Sequence, residues 1–147
     1  MGALIVFERK TGLKDVIESG TRLSAEISSE LLENLFFTNS PLHDGAVIIR
    51  EDRIEAAGCF LPLSDNKQIG QELGTRHRAA LGISEVSDST TLVVSEETGV
   101  ISVAEDGALI RYLDSKAVKD ILEEIYMIKQ TGKNKGIRLK RKGREAK

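Results

Sequence analysis

Residues 28–61, SSELLENLFFTNSPLHDGAVIIREDRIEAAGCFL, change their apolar period halfway, and that change decides the fold. Leu31, Leu32, Leu35 and Phe36 form one stripe at helical spacing. Ser28 reads as the N-cap of that helix, with Ile27 and Leu32 placed as a hydrophobic staple. Asn39-Ser40-Pro41 ends it, because proline disfavours the α conformation in the residue before it. Ala46–Ile49 and Ile54–Leu61 follow as apolar runs around the polar turn Glu51-Asp52-Arg53, the pattern of two strands.

Outward from this stretch the alternation continues. Ala3–Phe7 is a short apolar run that reads as a buried strand. Residues 12–17 suggest a helical turn or two closed by Ser19-Gly20. Downstream, Pro62 to Gly70 is a polar loop, and a helix follows from about Arg76 to Ile83. Thr91–Ser95 and Val100–Ala104 are two strands around Glu96-Glu97-Thr98-Gly99, a hairpin signal. A final helix starts at Asp114 or Ser115, with Val118, Ile121, Leu122, Ile125 and Ile128 on one face and Gly132 as its stop. Hairpins interspersed among alternating strands and helices predict an α/β fold, a central mixed β-sheet flanked by helices on both faces.

The 147 residues suffice for one domain with its own core, and with four Phe, two Tyr and no Trp that core is aliphatic. The net charge of −2 hides a split, −9 over residues 1–130 and +7 over residues 131–147. The expected organisation is therefore one domain over 1–130 and a basic, flexible tail over 131–147. Cys59 is the only cysteine, which excludes an intrachain disulfide or a cysteine zinc cage and fits a reducing cytosol. No apolar run approaches the roughly 18 residues that span a bilayer, and no signal peptide is visible. A chain that opens inside a core strand reads as an excised domain, with membrane segments cut away upstream.

Three stretches could carry chemistry. In Leu42-His43-Asp44-Gly45-Ala46, Gly45 permits unusual dihedrals or a close approach, and Asp44 would present a carboxylate at a strand mouth, where open sheets bind ligands. The competing reading is a plain Asp-Gly turn, with His43 a structural hydrogen bonder. In Gly74-Thr75-Arg76-His77-Arg78, Thr75 is a natural N-cap, which puts two arginines in the first helical turn. That end of a helix already carries about half a positive charge, so the arginines repel it unless an anion is present. Backbone N–H groups, a hydroxyl and forked guanidinium donors together suit a polyphosphate. The competing reading is a solvated basic face. In Ser95-Glu96-Glu97-Thr98-Gly99, adjacent carboxylates could hold a hard cation, or could simply be an exposed turn. That turn becomes informative only beside the arginine-rich one. Together the three point to nucleotide chemistry, although no Walker loop, kinase signature or dinucleotide fingerprint is present.

Asp44-Gly45-Ala46 followed some thirty residues later by Arg76-His77-Arg78 resembles the paired signature of the diadenylate cyclase family. The surrounding words are similar too: Ser40–Ala46, Leu73–Ala79, Gly82–Glu85 and Ser95–Gly99. The likeness runs from about Gly2 to Ile128 and looks closest to the CdaA type, whose catalytic domain follows transmembrane helices. The resemblance implies a bacterial enzyme that joins two ATP into cyclic di-AMP with release of pyrophosphate. It implies catalytic roles for Asp44, Gly45, Arg76, His77 and Arg78, and ATP-binding roles for Ala46, Phe60, Leu61, Gly74, Thr75 and Ser95. His43 and Glu97, with Glu96, are the implied contacts of a divalent metal, Mg or Mn. CdaA-type relatives often carry Tyr where this chain has Phe60, which keeps the stacking face and loses the hydroxyl.

Further expectations follow. In-line attack of each 3′-hydroxyl on the other ATP's α-phosphate requires two facing pockets, hence a homodimer. The parent is expected at the bacterial plasma membrane with this domain in the cytoplasm. A membrane-bound regulatory protein and a sugar-phosphate mutase are the partners the resemblance implies. Two alternatives stay open: a catalytically silent nucleotide-sensing module, and a nucleic-acid binder using the basic tail. The second is disfavoured by an acidic body and a tail without aromatics, so no nucleic acid is expected.

Overall fold

The computed structural model describes residues 1–67, 69–70 and 73–130, so the basic tail lies outside the described residues. The chain divides into two compact units, Met1–Tyr112 and Leu113–Lys147. In chain order the elements are β1 (Ala3–Glu8), α1 (Lys14–Ser19), β2 (Thr21–Glu26), α2 (Ser29–Phe36), β3 (Ala46–Arg50) and β4 (Arg53–Cys59). They continue with α3 (Thr75–Val86), β5 (Thr90–Val94), β6 (Ile101–Glu105), β7 (Ala108–Leu113) and α4 (Ser115–Gln130). The strands form one mixed sheet of seven, in the order β2-β4-β3-β1-β5-β6-β7.

β1 is the middle strand. It runs parallel to β3, with Val6 opposite Ile48, and antiparallel to β5, with Leu4 opposite Val93. Because side chains alternate along a strand, these registers put Leu4, Val6, Ile48 and Val93 on one face. There they pack in one cluster with Leu13 and Ile17 from the α1 region and with Ala79, Ala80 and Ile83 of α3. Val47, Ile49, Leu92 and Val103, on the alternate face, are buried as well. In the second unit, α4 begins where Asp114 Oδ1 accepts from Ala117 N at 2.8 Å, and Ile125 is buried.

The predicted architecture of sheet and helices is what forms, with differences at the edges. Ser28 caps α2 as expected, its hydroxyl accepting from Leu31 N at 3.1 Å. That helix stops at Phe36, short of the Asn39-Ser40-Pro41 signal, because residues 37–43 form successive turns of their own. β2 and β7 were not foreseen. β2 is a polar edge strand with a bulge between Arg22 and Ala25, and its apolar alternation is short, Leu23 and Ala25 within the strand. β7 follows Asp106-Gly107, where both φ angles are positive (52° and 76°), the backbone of a tight hairpin turn.

The loop after β4 lies directly on α3. Ser64 N donates to Arg78 O at 3.0 Å, and Ser64 Oγ donates to Glu85 at 2.9 Å. A methyl group at Gly82 would meet the Pro62 carbonyl oxygen at 1.8 Å, so the helix must carry glycine there for the loop to pass. This packing fixes Leu61 and Leu63 beside the start of α3.

Candidate active site

A cavity of about 810 Å³ opens beside β1, and the predicted residues gather on its walls. One wall is His43, Asp44 and Gly45 at the entry to β3. Opposite stand Gly74, Thr75, Arg76 and His77 at the start of α3, with Ser95, Glu96 and Glu97 completing the rim after β5. Leu4, Cys59, Leu63, Leu73 and Ala79 also line it. None of these five carried a functional signal in sequence, since each reads as core or loop.

The cavity sits at the amino ends of the parallel strands β1 and β3. Ligands of open α/β sheets are expected outside the carboxyl ends, so the placement of Asp44 at a strand mouth needs this correction. The carboxyl end of β1 and β3 is filled instead. There Arg50 forks onto the Glu8 carboxylate at 2.7 and 3.2 Å, and Glu8 also accepts from Leu13 N at 2.8 Å. Glu55 and Arg22 extend that network with 3.7 Å pairs.

Asp44 is held by a compact turn. His43 N reaches Ser40 O at 3.2 Å, Leu42 N reaches Ser40 Oγ at 3.2 Å, and Asp44 itself is exposed. Gly45 has φ +141°, and a methyl group there would lie 2.7 Å from the Gly58 carbonyl carbon. Both the dihedral and the close backbone approach demand glycine at this position. Ala46, predicted as an ATP contact, is completely buried in the core cluster and supports this turn from behind.

α3 starts one residue earlier than its sequence suggests. Gly74 is the N-cap and Thr75 the first helical residue, with no side-chain cap bond, because Thr75 is already committed to helical dihedrals. Arg76, His77 and Arg78 still occupy the first turn, which contains no acidic residue. Successive residues rotate by about 100°, so Arg78 points well away from Arg76 and is not on the cavity wall. Arg76 Nη1 pairs with Glu96 Oε2 at 3.0 Å, so the acidic turn does lie beside the arginine-rich one. Arg76 Nε is buried with no acceptor among the described residues.

His77 is 4 % exposed, and neither ring nitrogen has a hydrogen-bond partner among the described residues. Burial holds its pKa below the ordinary value, and the Arg111 and Arg76 guanidiniums add to this. It is therefore a neutral imidazole at pH 7. Burial alone pushes the Cys59 thiol up to about 11, which keeps it inert on the cavity wall. Phe60, just past β4, is 72 % exposed with its ring free to stack. Leu61 lies beside it, half-buried.

Among the described residues no cluster of three or more His, Cys, Asp or Glu converges on one point. Magnesium-like ions at phosphate sites take one or two protein ligands and complete their shell with substrate oxygens and water. His43 and Glu97 fit that sparse role. His43 Nδ1 lies 2.7 Å from Ser40 O and must donate to it, which leaves Nε2 as the lone-pair nitrogen.

Fold and site thus define an α/β domain whose cavity joins a carboxylate beside a close backbone approach to a helix start rich in N–H donors. The family model described as "DisA bacterial checkpoint controller nucleotide-binding" matches residues 1–109. The chain belongs to this family, that of the diadenylate cyclase domains. It is 58 % identical over 123 residues to "Cyclic di-AMP synthase CdaA" of Bacillus subtilis, covering 84 % of this chain and 45 % of that protein. It is 53 % identical over 144 residues to "Diadenylate cyclase" of Listeria monocytogenes, covering 97 % of this chain and 52 % of that protein. The chain spans about half the length of the curated relatives it matches. A crystal structure of DacA from Staphylococcus aureus superposes with a TM-score of 0.84 at 55 % identity, covering 85 % of this chain and 83 % of that one. No helix among the described residues is long and apolar enough to cross a membrane.

Proposed function

We propose that residues 1–130 are a catalytic domain that condenses two ATP into cyclic di-AMP with release of two pyrophosphates. The observation that carries this reading is the facing of Asp44 and Arg76 across one cavity of about 810 Å³, a volume suited to one nucleotide. The printed activities of the Bacillus and Listeria relatives support it.

Each residue has a task that follows from its place. Phe60 and Leu61 offer adenine an exposed ring and an apolar edge. Gly74, Thr75 and the free N–H groups of the α3 start receive the triphosphate, with Arg76 and Ser95 on its flanks. His77, neutral and wedged beside Arg76, donates or accepts without adding charge. Asp44 lies by the 3′-hydroxyl, orients it, and takes its proton as it attacks. Charge building on the α-phosphate and on the departing pyrophosphate is met by fixed donors that need no reorganisation. When bound, a divalent cation, Mg or Mn, would neutralise phosphate charge, with His43 Nε2 and Glu97 as its protein ligands.

One cavity holds one ATP, yet the product needs two in-line attacks. A homodimer related by a two-fold axis supplies the second nucleotide, and Arg78, off the wall of its own cavity, is free to serve that assembly. The tail over 131–147 is accessory. The parent is anchored at the bacterial plasma membrane with this domain on the cytoplasmic side. A membrane-bound regulator and a sugar-phosphate mutase complete the reading and rest on the resemblance alone.

The test is incubation with ATP and Mn²⁺ or Mg²⁺, with the product identified by mass. Cyclic di-AMP is expected, and Asp44→Asn is expected to lower its formation by about 10²- to 10⁴-fold while ATP still binds. A wild-type protein that binds ATP without turnover would establish the sensing module instead. The rate per enzyme should fall on dilution; a rate strictly first order in enzyme at high dilution would remove the dimer.

A further inference from the structure

The Arg76 guanidinium is built into its surroundings more tightly than a surface arginine. Glu96 Oε2 holds Nη1 at 3.0 Å. On another side lies Gly2, buried just ahead of β1. A methyl group on Gly2 would stand 2.8 Å from both Cζ and Nη1 of Arg76, and 3.1 Å from Glu96 Cβ. The guanidinium therefore rests against the bare Gly2 backbone, and only glycine leaves it that space. Nε, buried without an acceptor among the described residues, marks a cation whose hydrogen bonding the protein leaves incomplete.

The geometry points to Gly2 and Glu96 as positioning residues that set Arg76 for an incoming triphosphate, Gly2 by vacating space and Glu96 by fixing one prong. This rests on the triphosphate site proposed above. It gives Glu96 a role different from the metal contact implied by the family resemblance: Oε2 of its carboxylate is engaged by Arg76. Glu97, exposed and on the same rim, is left for the cation. The fixed arginine then meets a substrate already oriented, which strengthens binding of ground state and transition state alike.

The test uses Glu96→Ala, Glu96→Gln and Gly2→Ala in the intact chain. It reads KM and kcat for cyclic di-AMP formation, ATP affinity by calorimetry, metal half-saturation and Tm. Glu96→Ala is expected to raise KM and the ATP dissociation constant about tenfold with kcat changed less than about threefold. Glu96→Gln keeps an acceptor for Nη1 and should return both to within about threefold of wild type. Gly2→Ala should mimic Glu96→Ala at nearly unchanged Tm, since the atoms it meets most closely are the far end of the Arg76 side chain, which can shift. Metal half-saturation should stay the same in all three. Unchanged ATP affinity in Glu96→Ala, tighter binding on removing the carboxylate, or a raised metal requirement would each overturn the inference. A chain that binds ATP with the expected ordering but makes no cyclic product would overturn the proposed function and leave this inference standing.

Discussion

Two arginine–glutamate pairs stand at opposite ends of the central strands, and they differ in how complete they are. At the carboxyl end of β1 and β3, Arg50 binds Glu8 through two prongs, and Glu8 also holds the Leu13 amide. The hydrogen bond to Glu8 and the nearby carboxylates raise the Arg50 pKa above its ordinary value against the cost of burial. At the amino end, Arg76 binds Glu96 through one prong, its Nε has no acceptor among the described residues, and a cavity lies alongside. The ionic chemistry is the same. A pair joined through two prongs closes one end of the sheet, whereas a pair joined through one, with a buried donor to spare, leaves the other end ready for an anion.

The largest expected effect separates the pairs by what they control. Arg76→Ala should lower kcat/KM for ATP about 10²- to 10³-fold, the size seen when one fixed charged donor is removed, with Tm nearly unchanged. Glu8→Ala should do the reverse. Glu8 is 7 % exposed, and removing its carboxylate leaves the Leu13 amide without that acceptor and Arg50 with Glu55 alone at 3.7 Å, which costs about 1–3 kcal/mol in a denaturant titration. Turnover per folded molecule should stay at the wild-type level. If both variants lose stability, or both lose turnover, the comparison fails.

A smaller effect probes the wall between the pairs. Gly82→Ala would force the 62–64 loop off α3, at a cost of about 1–3 kcal/mol. Because that loop carries Leu63 and directly follows Leu61, KM for ATP should rise along with the loss of stability. A stability loss at unchanged KM would show that the loop does not shape the cavity.

The smallest effect is a pH slope. His77 has its folded pKa below the value of 6.5 that it takes when unfolded, so the unfolded chain binds the extra proton. Its contribution is complete above pH 6.5 and is lost as pH falls below that value. Wild type should therefore lose Tm on acidification from about pH 7 to 5.5, and His77→Gln should flatten that part of the slope. An equal slope in the variant would remove His77 as the cause.

The same contrast explains how much was legible in the sequence. The arginines at the start of α3 break a local electrostatic rule, and rule-breaking survives in a one-dimensional reading. Asp44-Gly45 is legible for a similar reason, since glycine before an apolar strand marks an unusual dihedral. The alternation that produced the sheet was also readable, because buried strands repeat apolar residues in short runs. β2 is faint in the sequence because an edge strand of Thr-Arg-Leu-Ser-Ala-Glu half faces water and its alternation rests on Leu23 and Ala25 alone. β7 does carry a local signal, the Asp106-Gly107 turn that precedes it. The walls made by Leu63 and Leu73 could not be read at all, because they are brought to the cavity by loop packing across α3. Nor could the Gly2–Arg76 contact, which joins residues far apart in sequence through an absent side chain.

The most direct measurement sets product formation from ATP beside thermal stability for wild type and Arg76→Ala. Wild type should yield cyclic di-AMP identified by mass, and Arg76→Ala should yield about a hundredfold less or lower still, with both proteins melting at nearly the same temperature. Full activity in Arg76→Ala, or a wild-type protein that binds ATP and releases no cyclic di-AMP, would contradict the assignment of the incomplete pair to catalysis.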